Sequence, residues 1–170
     1  MAKSATQTKE PTFSSVLDMP SGEIDRSVKQ PPIGSYLVVV QGIPEEGKSS
    51  KKETPYSDFN FKFLEPKDDV DEDALEAFLT NADGTKRRLT DCSLKQKFYH
   101  TEASFGRLVD LLDHLDGIKP GSDESKEMKD SPRQRLSEVA GKQCVIHVKH
   151  EPWQSGEGVS ARVSGSSLAE

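Results

Sequence analysis

At 170 residues, with 32% hydrophobic and 31% charged residues, the chain fits one modest domain with polar tails better than two domains. A formal net charge of -6 excludes a surface that is basic throughout, so any contact with nucleic acid must come from a local basic patch. No apolar run approaches the roughly 20 residues of a membrane span, and the N-terminus lacks the apolar core of a signal peptide.

Residues 1–32 are rich in Ser, Thr, Lys, Glu and Pro, and their scattered apolar residues, Phe13, Val16, Leu17 and Met19, bury too little to offset the entropy of ordering. A disordered N-terminal arm is expected there. Pro31-Pro32 then stiffens the chain ahead of a β-branched run, Gly34 to Gln41, which reads as a central strand with Tyr36, Val38 and Val40 on one face. Gly42 to Glu53 reads as a polar loop. From Thr54 to Leu64, Phe59, Phe61 and Phe63 alternate with Asp58, Asn60, Lys62 and Leu64, so a period of two sends the rings inward and Tyr56, Asn60 and Lys62 outward. Each ring contributes roughly 1.5 to 3 kcal/mol when buried, enough for the rest of a small domain to close over the three.

After an acidic stretch, Asp71 to Leu79 has Leu75, Phe78 and Leu79 on one side of a short helix. Asp83-Gly84 signals a tight turn, and strand pattern resumes from Lys86 to Tyr99, with Leu94, Gln96 and Phe98 opposed to Lys95, Lys97 and Tyr99. The principal helix spans about Thr101 to Asp116, where Phe105, Leu108, Val109, Leu112 and Leu115 recur at three- and four-residue spacing. Thr101 serves as N-cap, and Gly117 with Pro120 as the stop. A charged loop, Gly121 to Asp130, leads to a short helix opened by Ser131-Pro132 and ended at Gly141. Two strands follow, Gln143 to Lys149 and Val159 to Val163, and then a polar tail over 165–170.

About five strands, with one principal amphipathic helix before the last pair, predict a mainly β (α+β) domain over 33–164. The expected architecture is an OB-like Greek-key barrel, with a β-sandwich as the alternative. A doubly wound α/β fold is disfavoured, because its strands would alternate with helices and here the first two strands do not.

Gly42-Ile-Pro-Glu-Glu-Gly47-Lys48-Ser49 matches the phosphate-loop pattern G-x-x-x-x-G-K-S and follows a strand. The chemistry also needs a helix starting at Lys48 to hold phosphates on its amides, yet Pro55 arrives seven residues later and no apolar face intervenes. A plain hairpin loop is expected instead, with nucleotide binding at 42–49 as a remote alternative. Tyr56 and Tyr99 beside Lys62, Lys95 and Lys97 form the aromatic and basic mixture on which unstacked bases rest, and Lys51, Lys52, Arg87 and Arg88 on flanking loops suit phosphates. An ordinary solvated strand face is the competing explanation. His147, His150 and Glu151 suggest a metal, but a strand sends residues three apart to opposite faces, so no metal site is expected. Trp153 is a rim cap or a stacking platform. No nucleophile beside a base and no carboxylate pair stands out, so neither an enzyme nor a cofactor is indicated. Cys92 and Cys144, in no metal-type spacing, fit a reducing cytoplasmic setting, with one disulfide between them as the alternative.

Pro31 to Leu37, Thr54-Pro55-Tyr56 leading into Phe59-Asn60-Phe61, Ser104 to Leu108, and Ala140-Gly141-Lys142 together resemble a group of small bacteriophage-encoded proteins with single-strand DNA-binding or replication and recombination accessory roles. The resemblance covers about residues 31–164. It implies a non-enzymatic, cytoplasmic protein of the infected host that binds single-stranded DNA with low sequence preference, with replication or recombination proteins as further partners. A structural adaptor that binds a protein through its arm or a strand edge is the alternative. Ser164 to Glu170 lacks the acidic tail with a terminal aromatic residue found on bacterial single-strand binders, which counts against recruitment through that tail.

Overall fold

The computed structural model describes residues 20–21, 29–152 and 159–169, and six strands and four α-helices lie among them. The strands are β1 (Gly34–Val40), β2 (Glu45–Lys48), β3 (Pro55–Pro66), β4 (Ser93–Tyr99), β5 (Gln143–Pro152) and β6 (Val159–Ser167). The helices are α1 (Glu72–Leu79), α2 (Glu102–Leu115), α3 (Asp123–Lys126) and α4 (Pro132–Leu136). Most of the expected N-terminal arm, and Trp153, lie outside the described residues.

β3 organises the sheet. Its Phe59, Phe61 and Phe63 are fully buried, together with Tyr36, Val38 and Val40 of β1. Along one edge β3 pairs antiparallel with β4, from Tyr56 opposite Tyr99 to Lys62 opposite Ser93. Along the other edge it pairs with β2 at Pro55 to Asp58 and with β1 at Phe61 to Pro66. β1 and β2 therefore act as one long strand interrupted near Gly42, which has φ 75° and which most side chains would resist. β5 lies on the far side of β1, and β6 pairs with β5.

The result is an open, mainly antiparallel sheet with helices, not the closed five-stranded barrel expected from the sequence. Among the described residues no ladder joins β4 to β6. Where the two come together, Val163 N donates to the side-chain Oε1 of Gln96 at 3.0 Å, so a side chain takes the backbone group that a ladder would have used. α2 packs here, burying Leu108, Leu111, Leu112 and Leu115.

Several local expectations are corrected. Glu45 to Lys48 is a strand and not part of a loop, because it finds a free edge of β3 to pair with. The run from Lys86 is strand only from Ser93 onward; a 3₁₀ turn at Leu89–Asp91 precedes it. A short helix, α3, forms in the charged loop, with Ser122 as its cap. β6 extends to Ser167, so Gly165 to Ser167 of the expected polar tail pair with Val145 to His147. Of the expected arm, Lys29 contacts the domain, its Nζ donating to the carbonyls of Ala77 and Thr80. Tyr36 Oη donates to Pro32 O at 2.6 Å. Both cysteines are free and buried, and burial pushes the Cys144 thiol up to about 12.

Arg135 of α4 ties the connection after α2 into place. Its guanidinium, 6% exposed, lies 2.8 Å from Asp113 and 3.0 Å from Asp116, and Lys142 also pairs with Asp116. Ser125 Oγ donates to the second oxygen of Asp113 at 2.6 Å. Removing one partner strands a buried charge, so Arg135→Ala is expected to cost about 3 to 5 kcal/mol in urea unfolding. Burial acts to raise the Asp116 carboxyl, but the hydrogen bonds and charges of Lys142 and Arg135 outweigh it and hold the group below its ordinary value. A depressed folded value stabilises above the unfolded value of about 3.9 and ceases to do so as pH falls through the folded one. The stability gap between the wild type and Asp116→Asn should therefore close as urea titrations move from pH 6 to strongly acidic pH.

Candidate nucleic-acid interface

The unbroken register of β3 and β4 places the polar side chains of both strands on one outer face. Tyr56 stands opposite Tyr99, Asp58 opposite Lys97, Asn60 opposite Lys95, and Lys62 opposite Ser93. The two tyrosine rings meet edge to face, 5.8 Å apart at 74°. Lys97 Nζ lies 4.6 Å from the centre of the Tyr56 ring, a cation–π contact. Gly47 of β2 faces Tyr56, and a Cβ there would come within 2.6 Å of the tyrosine hydroxyl, so the ring lies across the glycine. Tyr99 is 36% exposed, and Lys95 and Lys97 are exposed beside it.

Lys51 and Lys52 occupy the turn between β2 and β3, exposed and adjoining the tyrosine end. That turn is held by Ser49 N donating to Thr54 O at 2.9 Å and Thr54 N donating to Ser49 Oγ at 3.0 Å. Six expected site residues, Tyr56, Tyr99, Lys97, Lys95, Lys51 and Lys52, thus come together. Lys62 sits on the same face six residues along the strand, roughly 20 Å from Tyr56.

The two arginines lie beyond Lys62, at the other end. Arg87 is committed to α1: its Nη2 donates to Phe78 O at 2.9 Å and its guanidinium lies 4.5 Å over the Phe78 ring. Arg88 is exposed and pairs with Asp91 at 3.2 Å.

Two acceptors on this face lack donors among the described residues: Asp58 Oδ1 and Asn60 Oδ1, both buried. Lys97, the cross-strand neighbour of Asp58, reaches for the Tyr56 ring instead.

Three cations escaped the sequence reading. Arg107 of α2, Lys149 of β5 and Arg162 of β6 join Lys97 and Tyr99 around a groove of about 240 Å³ where β4 approaches β6. Period two does turn Lys149 and Arg162 outward, between Val148, Ala161 and Val163. What the pattern lacked was the approach of that hairpin to β4.

The histidines serve the scaffold. His147 Nδ1 lies 2.7 Å from Ser35 Oγ and its Nε2 lies 2.8 Å from Ser167 Oγ, while His150 Nε2 contacts Pro31 O at 2.7 Å. Ser35 Oγ donates to Asp69 at 2.8 Å, so the serine and not the imidazole is the central member, and its proton is already given to the carboxylate. That order does not activate a nucleophile. Among the described residues, no three His, Cys, Asp or Glu side chains gather as metal ligands do.

The phosphate-loop match is overturned as a structural motif. Glu45 to Lys48 is extended and paired with β3, a turn follows, and no helix begins at Lys48 to offer its amides. Calorimetric titration with magnesium and ATP is expected to show no saturable heat, and Lys48→Ala should leave the urea midpoint within about 0.5 kcal/mol of wild type.

No protein-family model and no curated protein matches the chain. Among solved structures, one described as "Yeast RPA bound to ssDNA" is similar at 9% identity and a TM-score of 0.29, covering 95% of this chain and 89% of that one. A likeness of that size carries no argument about this chain.

Proposed function

We propose that the protein binds single-stranded DNA without chemical turnover and with little sequence preference, across the outer face of β3 and β4. The observation that carries this reading is the Tyr56, Tyr99 and Lys97 cluster, with Lys95, Lys51 and Lys52 around it and no ion pair to any of those four lysines among the described residues. Lysines on an edge strand also guard it against pairing with other chains, but that role needs no tyrosine pair beside them. Unstacked bases rest on exposed aromatic rings regardless of sequence, while cations meet the phosphates.

What supports an OB-like reading is the strand order β4, β3, β1, β5, β6 with a helix between β4 and β5. A β3–β4 face beside the turn that carries Lys51 and Lys52 is where such a domain would hold a strand. Phage replication or recombination is the setting that the sequence resemblance implies. A sequence-tolerant binder suits it, since displaced strands of any sequence need cover.

Fluorescence anisotropy with an unstructured labelled oligonucleotide, at two salt concentrations and with a duplex control, tests the proposal. Affinity is expected to fall steeply with salt and to favour the single strand. Tyr99→Ala should weaken binding by about 1 to 3 kcal/mol, or roughly 5- to 150-fold, without moving the unfolding midpoint. Absence of binding at low salt, or equal affinity for duplex, removes the reading.

A further inference from the structure

We propose that the groove between β4, the first half of α2 and the β5–β6 hairpin is a second polyanion subsite, which takes the sugar-phosphate backbone of the same single strand as it leaves the tyrosine face. The inference rests on the single-strand reading and extends it from one sheet face to a path that turns around the β4 edge.

Four cations from four elements line the groove: Lys97, Arg107, Lys149 and Arg162, with Glu151 as the single carboxylate among the lining residues. Nothing about folding asks for this gathering. Lys149 and Arg162 stand directly opposite each other in the β5–β6 ladder, an arrangement of like charges that destabilises a sheet. Glu151 answers both only loosely, at 3.5 Å from Lys149 and 3.8 Å from Arg162, with about half of each side chain exposed. Exposed pairs of that length contribute little, so phosphate oxygens can displace the carboxylate at small cost. Arg107, exposed on α2, makes no ion pair or hydrogen bond among the described residues.

The groove is continuous with the tyrosine face, because Lys97 and Tyr99 belong to both. The missing β4–β6 ladder is what opens it. A closed barrel would have brought the two strands to hydrogen-bonding distance and filled the space in which the backbone is to lie. With Val163 N already satisfied by Gln96 Oε1, that amide of the β6 edge is not available to an incoming peptide strand. An acidic peptide would feel the same charge but has no use for a stacking surface that runs into the groove, so the single strand is the better fit.

The test measures length dependence on the full chain, with labelled oligo-dT of 4 and 12 nucleotides at several salt concentrations. The double variant Lys149→Gln with Arg162→Gln, and separately Arg107→Gln on a different element, are compared with wild type after thermal melts confirm folding. The double variant is expected to bind the 12-mer at least tenfold more weakly and the 4-mer within about twofold of wild type. Its plot of log affinity against log salt for the 12-mer should be shallower by about 1.4, the change expected when two phosphates of a single strand are no longer neutralised. Arg107→Gln should lower only the 12-mer affinity as well. Tyr99→Ala, in contrast, should weaken both lengths.

Equal effects of the groove variants on both lengths, or none on the 12-mer, overturn the subsite while leaving the single-strand reading intact. A poly-glutamate decamer that binds the groove, in a protein whose 12-mer affinity the variants do not change, overturns it in favour of a peptide ligand. Failure of wild type to bind either oligonucleotide sinks both readings together.

Discussion

Burial of Phe59, Phe61 and Phe63 on one face of β3 constrains everything around it. The strand is paired along both edges, so it cannot rotate, and its side chains must alternate about the sheet. A register slip of one residue would expose three rings, at roughly 1.5 to 3 kcal/mol each, and drive Asp58, Asn60 and Lys62 into the core at greater cost. The outer face is therefore fixed by the inner one. Tyr56 stands opposite Tyr99 because Phe61 stands opposite Leu94 in the same unbroken ladder. A polar constellation held by a hydrophobic one in this way needs no contacts of its own to stay in place, which leaves its lysines free.

The second constraint is ionic. Arg135, Asp113, Asp116 and Lys142 join α2 to the segment that leads into β5, with Asp113 only 2% exposed. Such a network adds little net stability over an apolar replacement of the same shape. Its effect is positional. It fixes the C-terminal end of α2 while the leucines of that helix fix the face turned to the sheet, so Arg107 on the exposed side is held toward the β4–β6 approach. The charges that line the groove are thus placed by charges that never reach it.

How much of this was legible in the sequence follows from which interactions are local. The alternation in β1, β3 and β4, and the three- and four-residue spacing of α2, are local, and both face assignments and the helix bounds agree with the structure to within a residue or two. β2 was missed, because Glu45 to Lys48 has no apolar side chain, and only the free edge of β3 makes it a strand. The short helix α3 was missed for a similar reason: a Ser122 cap on four charged and polar residues looks like loop until the neighbouring Asp113 takes Ser125. Of the expected site, the tyrosines and β4 lysines were read from period two. Arg87 was not separable from Arg88 by sequence, since only the position of Phe78 draws its guanidinium onto α1. The groove cations were out of reach because they depend on two hairpins approaching across more than fifty residues of chain. Closure was over-read: strand count and order are consistent with a barrel, but whether the last ladder forms is decided by what packs between the edges, here Gln96 and α2.

An acidic chain proposed to bind a polyanion poses an electrostatic question, and the layout of β3 answers it. Five carboxylates that could oppose DNA, Asp68, Asp69, Asp71, Glu72 and Asp73, lie just past the C-terminal end of that strand, whereas at its start Lys48, Lys51, Lys52, Lys95, Lys97 and Arg133 outnumber Glu45, Glu46, Glu53 and Asp58 around Tyr56. Twelve strand residues separate the two ends, which is roughly 35 to 40 Å at the usual rise. The Debye length at 0.1 M salt is about 10 Å, so the acidic loop is several screening lengths from the tyrosine end. The lysines there act on a phosphate at contact range, where screening is weakest. The arginines at the far end share their surroundings with the carboxylates, and Arg88 is already paired with Asp91. Moving along β3 from Pro66 toward Pro55 thus takes a strand of DNA from repulsive ground to attractive ground, and the net charge of -6 describes neither end.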